Sequence, residues 1–185
     1  MKEQIEIEYK ILIDKDIFLK VINDYQVEKD YIQTNYYLTH PVLQDKKYML
    51  RIREKNNSYE FTLKRPYQNH QLETNVIIDK EIKDKIMNHQ YVDNEIMDIL
   101  KHENINPLEL KQQFSLTTHR YDIQLKEGTL SLDHNQYLHL EDYELEFEVY
   151  EESTGYQRFL EIIKPYQLHY TKNCQSKIKR VLDAL

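Results

Sequence analysis

Glycine occurs only twice in 185 residues, at Gly128 and Gly155. A phosphate-cradling backbone loop needs several glycines at close spacing, so the dinucleotide fingerprint and the Walker loop are both excluded. Any phosphate bound by this chain must be gripped by side chains. Cysteine occurs once, at Cys174. That excludes an internal disulfide framework and points to a reducing, cytoplasmic setting. Tryptophan is absent, so stacking on a base would fall to the 16 tyrosines or 5 phenylalanines. No run of ~18 apolar residues is available to cross a membrane, and Met1–Glu6 lacks the apolar stretch of a signal peptide. Basic residues are in deficit, 25 against 32 acidic, for a net charge of −7. Taken alone, the deficit speaks against a nucleic acid or other polyanion as partner. Net charge does not say where the charges sit.

What is present is a globular composition, 40% apolar and 31% charged, in a chain long enough to bury a real core. There is no Pro/Gly/Ser-rich linker and no internal repeat, so residues 1–185 read as a single domain. Gln4–Ile13 alternates strictly, with Ile5, Ile7, Tyr9 and Ile11 on one parity and Glu6, Glu8 and Lys10 on the other. That is a strand. Asp14 caps a helix to about Tyr25. Strands follow near Val27–Leu38, Lys47–Glu54 and Tyr59–Arg65, the last stopped by Pro66. Helical periodicity covers Asp79 to about His102, broken near Tyr91–Asn94. Three to four strands run from Leu108 to Glu151, turning at Glu127-Gly128. A helix containing Gly155 ends before Pro165, and another runs from about Ser176 to Leu185. Closely joined strands with helices between sets predict α+β with a largely antiparallel sheet.

The strands carry the chemical signal. Each has one apolar and one polar face, and the sign of the polar face differs by strand. The first offers Glu6, Glu8 and Lys10. Another offers Arg51 and Arg53, and the next Thr62 and Lys64. A late strand offers Glu144, Glu146 and Glu148. A period of two puts each set on one face. Singly, each row reads as a solvated sheet face. Together they are segregated by sign, as rows facing each other inside a closed or nearly closed barrel would be. Clustered carboxylates repel unless a cation joins them, and oxygen donors of this kind suit Mg²⁺ or Mn²⁺. Clustered Arg and Lys ask for an anion, which Arg grips in bidentate fashion. A metal-bound polyphosphate meets both demands. Arg120 can join the cations, Asp133 ends an alternating strand, Glu73 falls in a loop after the fourth strand, and Lys177 and Arg180 share one helix face. The eight histidines show no metal-ligand spacing, and Cys174 reads as incidental.

Glu6-Ile7-Glu8-Tyr9-Lys10 resembles the ExExK signature of the CYTH domain, the triphosphate tunnel metalloenzymes. Arg51-Ile52-Arg53 resembles the family's paired arginines, Thr62-Leu63-Lys64 its next basic strand, and Arg120 its mid-chain arginine. Asp133 and Glu144–Glu148 resemble its late acidic strands, and Ser176-Lys177 with Arg180 its C-terminal motif. Tyr36-Tyr37-Leu38-Thr39 is similar to the strand before the arginine pair. The likeness covers essentially the whole chain and is nearest to short bacterial single-domain members. It implies an eight-stranded antiparallel β-barrel, the tunnel, with helices outside. It implies Mg²⁺ or Mn²⁺ held by Glu6, Glu8, Asp133, Glu146 and Glu148. It implies phosphate ligands Lys10, Arg51, Arg53, Lys64, Arg120, Lys177 and Arg180, with Glu73 a family acid. Lys10, Glu146 and Glu148 become the catalytic candidates, with Glu146 or Glu148 assisting proton removal. Glu144 shares their face, so the register of the acidic pair is open by two residues.

The resemblance leaves several activities, since fold does not fix substrate. Inorganic triphosphatase ranks first, a thiamine or nucleoside triphosphatase second, and an adenylate cyclase third. A non-catalytic polyphosphate or nucleotide sensor is the alternative from another class. The expected partner is a small-molecule triphosphate, with no nucleic acid and no membrane. Oligomeric state is open, a homodimer included.

Overall fold

The computed structural model describes residues 2–185, the side chains of 2–4 apart. Met1, where the signal-peptide reading begins, lies outside the described residues. Among these residues are nine strands: β1 (Lys2–Glu6), β2 (Glu8–Ile13), β3 (Lys29–Thr39), β4 (Met49–Lys55), β5 (Ser58–Tyr67), β6 (His70–Ile78), β7 (Lys111–Gln124), β8 (Gly128–Tyr137) and β9 (Leu140–Val149). Six α-helices accompany them: α1 (Lys15–Asp24), α2 (Pro41–Asp45), α3 (Lys80–Met87), α4 (Glu95–His102), α5 (Glu152–Ile163) and α6 (Lys177–Asp183). The pairings β1–β6, β6–β5, β5–β4, β4–β3, β7–β8, β8–β9 and β9–β2 are antiparallel, and the class is α+β as expected. Among the described residues no helix is long and apolar enough to cross a membrane.

The chain packs into two compact units. The first holds residues to Glu6 with Gln33–Leu116, the second Ile7–Ile32 with Thr117–Leu185. In the first, the strands run in the order β1-β6-β5-β4-β3. Alternate residues Leu50, Ile52, Phe61 and Leu63 turn to one face, where α2, α3 and α4 cover them with Leu43, Ile86, Ile96, Met97 and Leu100. In the second, the order is β7-β8-β9-β2. Here Tyr9, Ile11, Leu130, Leu132, Leu145 and Phe147 are covered by Phe18 and Val21 of α1 and Phe159, Ile162 and Ile163 of α5. Within each unit the opposite strand parity is left to polar and charged residues.

The strand count is nine where eight was expected. Gln4–Ile13 is interrupted at Ile7, because its two halves serve different partners. Glu6 pairs opposite Gln71 of β6, while Glu8 pairs opposite Glu148 of β9. The loop expected around Glu73 is strand β6, paired along both edges, by β1 and by β5. Pro66 does not stop β5. It lies one residue from the strand's end, opposite Gln71, where a missing N–H costs little. Asp133 sits within β8 rather than at a strand end. Helix α2, with Pro41 at its start, was not anticipated.

Both glycines answer close approaches rather than turns. A Cβ on Gly128 would lie 2.0 Å from the Glu148 carbonyl oxygen, and one on Gly155 would lie 2.6 Å from the Val149 side chain. One of the tight turns of the first unit falls to asparagine. Asn56 and Asn57, with φ 51° and 60°, make the two-residue turn between β4 and β5, the geometry in which asparagine tolerates left-handed backbone.

Candidate active site

In the second unit, three strands place charge in a row. Arg120 of β7 stands opposite Asp133 of β8, and Asp133 opposite Glu144 of β9. One pleat along, Lys10 of β2 stands opposite Glu146. The Arg120 guanidinium grips Asp133 in bidentate fashion, Nε to Oδ1 and Nη2 to Oδ2, both at 2.6 Å. It also donates to Glu146. Helix α6, capped by Ser176, delivers Lys177 at its first turn. The Lys177 Nζ lies 2.8 Å from Asp133, 2.5 Å from Glu144 and 2.6 Å from Glu146. Ligand oxygens of those three carboxylates all fall within 4.8 Å of one another. Asp133 and Glu144 are fully buried.

Burial pushes each of these carboxyls upward, and the neighbours decide the outcome. At Asp133 the Arg120 and then the Lys177 charge outweigh burial and hold it below the usual range. At Glu146 Lys177 and then Arg120 do the same, more strongly. At Glu144 burial wins, aided by the Glu146 charge, and the carboxyl rises to about 7. Burial works against the Lys10 ammonium too, but Glu8 and then Glu146 raise it above its ordinary value. Glu8 is its hydrogen-bond partner.

Arg180 spends its guanidinium on the protein. Nε and Nη2 meet Asp142 at 2.8 and 3.2 Å, and Nη1 meets Glu144 at 2.5 Å and the Gln175 carbonyl at 2.6 Å. Expected among the phosphate ligands, it ties α6 to Asp142 and Glu144 of β9 in this structure. Cys174 donates weakly to Glu144 at 3.6 Å, and its thiol is pushed up to about 12 by burial and then Glu144, so it carries no thiolate.

The first unit holds a second cluster. Lys64 of β5 bonds Glu6 of β1 and, at 3.0 Å, Glu73 of β6. Arg51 of β4 approaches Glu73 at 3.9 Å, and its buried Nε has no hydrogen-bond partner among the described residues. Arg53 donates through Nε to Asn35 at 3.1 Å and lies 3.9 Å from Glu60. Asn75 donates to Glu73 at 2.9 Å and accepts from the Thr62 hydroxyl at 2.7 Å. Burial opposes ionisation of Glu73, but Lys64 and then Arg51 hold it down at about 2.

Of the acids expected at a metal, the structure brings Asp133 and Glu146 together and adds Glu144. Glu148 is exposed and stands outside that group. Glu8 is turned to Lys10, and Glu6 to Lys64. The signal for Glu144 was its shared parity with Glu146. Asp142, Asn75, Thr118 and Asn135 were not singled out by sequence reasoning, and Thr62 was read as part of a polar row without its Asn75 partner. They carry no charge pattern, or lie among too many acids, to stand out. Hard oxygen donors converging around one ammonium are a donor set that Mg²⁺ or Mn²⁺ would accept, so the residues present fit such an ion.

An antiparallel sheet carries paired acids and cations on one parity and helices on its apolar side. The chain belongs to the CYTH domain family, whose profile matches residues 4–173. It is similar to YjbK of Bacillus subtilis (strain 168), provisionally named a triphosphatase, with 33% identity over 179 residues, covering 94% of this chain and 93% of that one. A crystal structure from Bacillus halodurans, carrying a provisional adenylate cyclase name, is 34% identical and superposes with a TM-score of 0.89 over 97% of this chain and 98% of its own. HpAC1 from Hippeastrum, described as a provisional adenylyl cyclase with a dominant triphosphatase activity, is 18% identical and shares the fold, with a TM-score of 0.78 over 97% and 96% of the two chains.

Proposed function

We propose that this chain is a metal-dependent triphosphatase acting on inorganic triphosphate. The observation that carries the reading is the Lys177 ammonium held by Asp133, Glu144 and Glu146 at 2.5–2.8 Å. That is a cation position lined by oxygen donors, two of them fully buried. When bound there, Mg²⁺ or Mn²⁺ would neutralise charge on phosphoryl oxygens and lower the pKa of a water. Lys10, Arg120 and Lys177 take the role of phosphate ligands in the second unit, and Arg51, Arg53 and Lys64 in the first. The buried Arg51 Nε, a donor without a partner among the described residues, favours an anion there. Phosphoryl transfer needs positioning and charge stabilisation more than covalent chemistry, and cations of this kind supply both. Glu146 or Glu148 assists proton removal from the attacking water. Glu6 and Glu8 keep their assignment to metal binding, and Glu73 orients the cations it touches. A lone thiol held protonated by burial agrees with a cytoplasmic protein.

The test is phosphate release from tripolyphosphate, ATP and thiamine triphosphate, each with Mg²⁺, with Mn²⁺ and with neither. Metal-dependent release, fastest from tripolyphosphate, is the expected result. Cyclic AMP formed from ATP would replace the reading with a cyclase. Tight binding of tripolyphosphate without release would replace it with a sensor.

A further inference from the structure

The same three-part chain occurs once in each unit. In the first, Thr62 of β5 stands directly opposite Asn75 of β6. Its hydroxyl donates to Asn75 Oδ1 at 2.7 Å, and Asn75 Nδ2 donates to Glu73 at 2.9 Å. In the second, Thr118 of β7 stands directly opposite Asn135 of β8. Its hydroxyl donates to Asn135 Oδ1 at 2.7 Å, and Asn135 Nδ2 donates to Asp142 at 2.9 Å. Thr62, Thr118 and Asn135 are fully buried. The direction of each chain is fixed by its acid. Glu73 lies against Lys64 and Arg51, and Asp142 against Arg180. An ionised carboxylate only accepts, so the amide must turn its NH₂ toward it and its oxygen toward the threonine. The hydroxyl then has one orientation left.

The geometry points to Thr62–Asn75 and Thr118–Asn135 as positioning pairs that lock the rotation of the Glu73 and Asp142 carboxylates and, through them, the cations those acids hold. None of the four is among the residues proposed to hold phosphate or metal. In the first unit the locked cations are Lys64 and Arg51, two of the proposed phosphate ligands. In the second the locked cation is Arg180, which fastens the helix bearing Lys177. The inference rests on the triphosphatase reading and adds to it the residues that set cation spacing. A carboxylate free to turn would leave its cations spread over several positions, and small misplacements of binding groups are costly.

Thr62→Val keeps the shape of the side chain and deletes the donor; Thr62→Ser keeps the donor. The expected result is a KM for tripolyphosphate raised about tenfold in Thr62→Val with kcat within about twofold, and a wild-type KM in Thr62→Ser. Thr118→Val and Thr118→Ser should divide in the same way. Because Thr62 and Asn75 act in series, Thr62→Val with Asn75→Ala should be no worse than Asn75→Ala alone. Calorimetric Kd for tripolyphosphate without metal gives the same comparison independent of turnover. Should Thr62→Val not fold, Asn75→Ala at its half-buried position carries the test. A lowered melting temperature with unchanged KM and Kd in the valine variants would overturn the positioning role and leave the triphosphatase reading intact. A wild-type protein that neither binds nor hydrolyses tripolyphosphate would overturn both.

Discussion

The two clusters are built by one rule, alternation along antiparallel strands, and differ in which group is shared. In the first unit the buried Glu73 carboxylate is shared by Lys64 and Arg51, Lys64 also meets Glu6, and a guanidinium nitrogen of Arg51 is left over. In the second the Lys177 ammonium is shared by three carboxylates, two of which Arg120 also grips and one of which Arg180 meets. An acid shared by two cations sets their spacing and leaves a donor short of an acceptor. Acids converging on one ammonium mark where a cation of higher charge would gain most. On the proposed function the difference separates two jobs, holding an anion and holding a metal, that one row of mixed charges would blur.

The sharpest way to break that contrast is to remove one arginine from each. Arg120→Met leaves Asp133 fully buried with one cation fewer, and loss of one partner from a buried ion network costs about 3–5 kcal/mol. Arg51→Met removes a side chain already short of one hydrogen bond, and should cost no more than about 1.5 kcal/mol. Urea denaturation of both variants gives the two values. Equal losses would erase the distinction.

Next in size is the response to acid. Glu73, at about 2 in the folded chain against 4.5 as its reference, contributes stability that is complete above about pH 4.5. It is lost as pH falls toward 2. A shift of that size is worth about 3 kcal/mol. Denaturation midpoints of the wild type and Glu73→Gln between pH 5 and 2 should converge as the pH drops. Glu144 has the opposite sign. Raised to about 7, its contribution in the metal-free protein is present below about pH 4.5 and fades as pH rises through 7. A Glu73→Gln curve parallel to wild type would show that the first cluster has no such ionised acid.

The smallest expected effects separate turnover from binding. Glu146→Gln should lower metal-dependent kcat on tripolyphosphate about a hundredfold or more with the fold retained. Arg53→Ala should raise KM about tenfold and change kcat little. Steady-state kinetics of the pair decide it. If the two variants share one pattern, the clusters do not divide the work.

Much of this was legible before any coordinates. Alternation in Glu6–Lys10, Arg51–Arg53, Thr62–Lys64 and Glu144–Glu148 gave strands and faces together, because a period of two fixes both at once. The division of the first strand at Ile7 was not legible, since changing partner leaves the alternation untouched. Strand β6 was missed because Gln71, Glu73 and Asn75 on one face and Thr74 on the other look like loop. Only pairing on both edges reveals why so polar a strand is stable. Arg180 was recognised as important but not as an anchor, since a motif shows that a guanidinium is present and not which acid it meets. Asp142 and the two Thr–Asn pairs depend on cross-strand register, which no single segment encodes.

The units are interleaved along the chain, and this has a consequence for synthesis. Once Leu116 has emerged, every residue of the first unit exists, whereas the second still waits for Thr117–Leu185. Strand β2 is made early, but its partner β9 is among the late segments. Its apolar residues Tyr9, Ile11 and Ile13 must therefore stay uncommitted until β9 has emerged. Such distant pairings fold slowly and expose unpaired edges meanwhile. The growing chain should be most vulnerable to aggregation and most dependent on chaperones in that interval, and helix α6, bearing Lys177, completes the second cluster only after β9 and α5 have emerged.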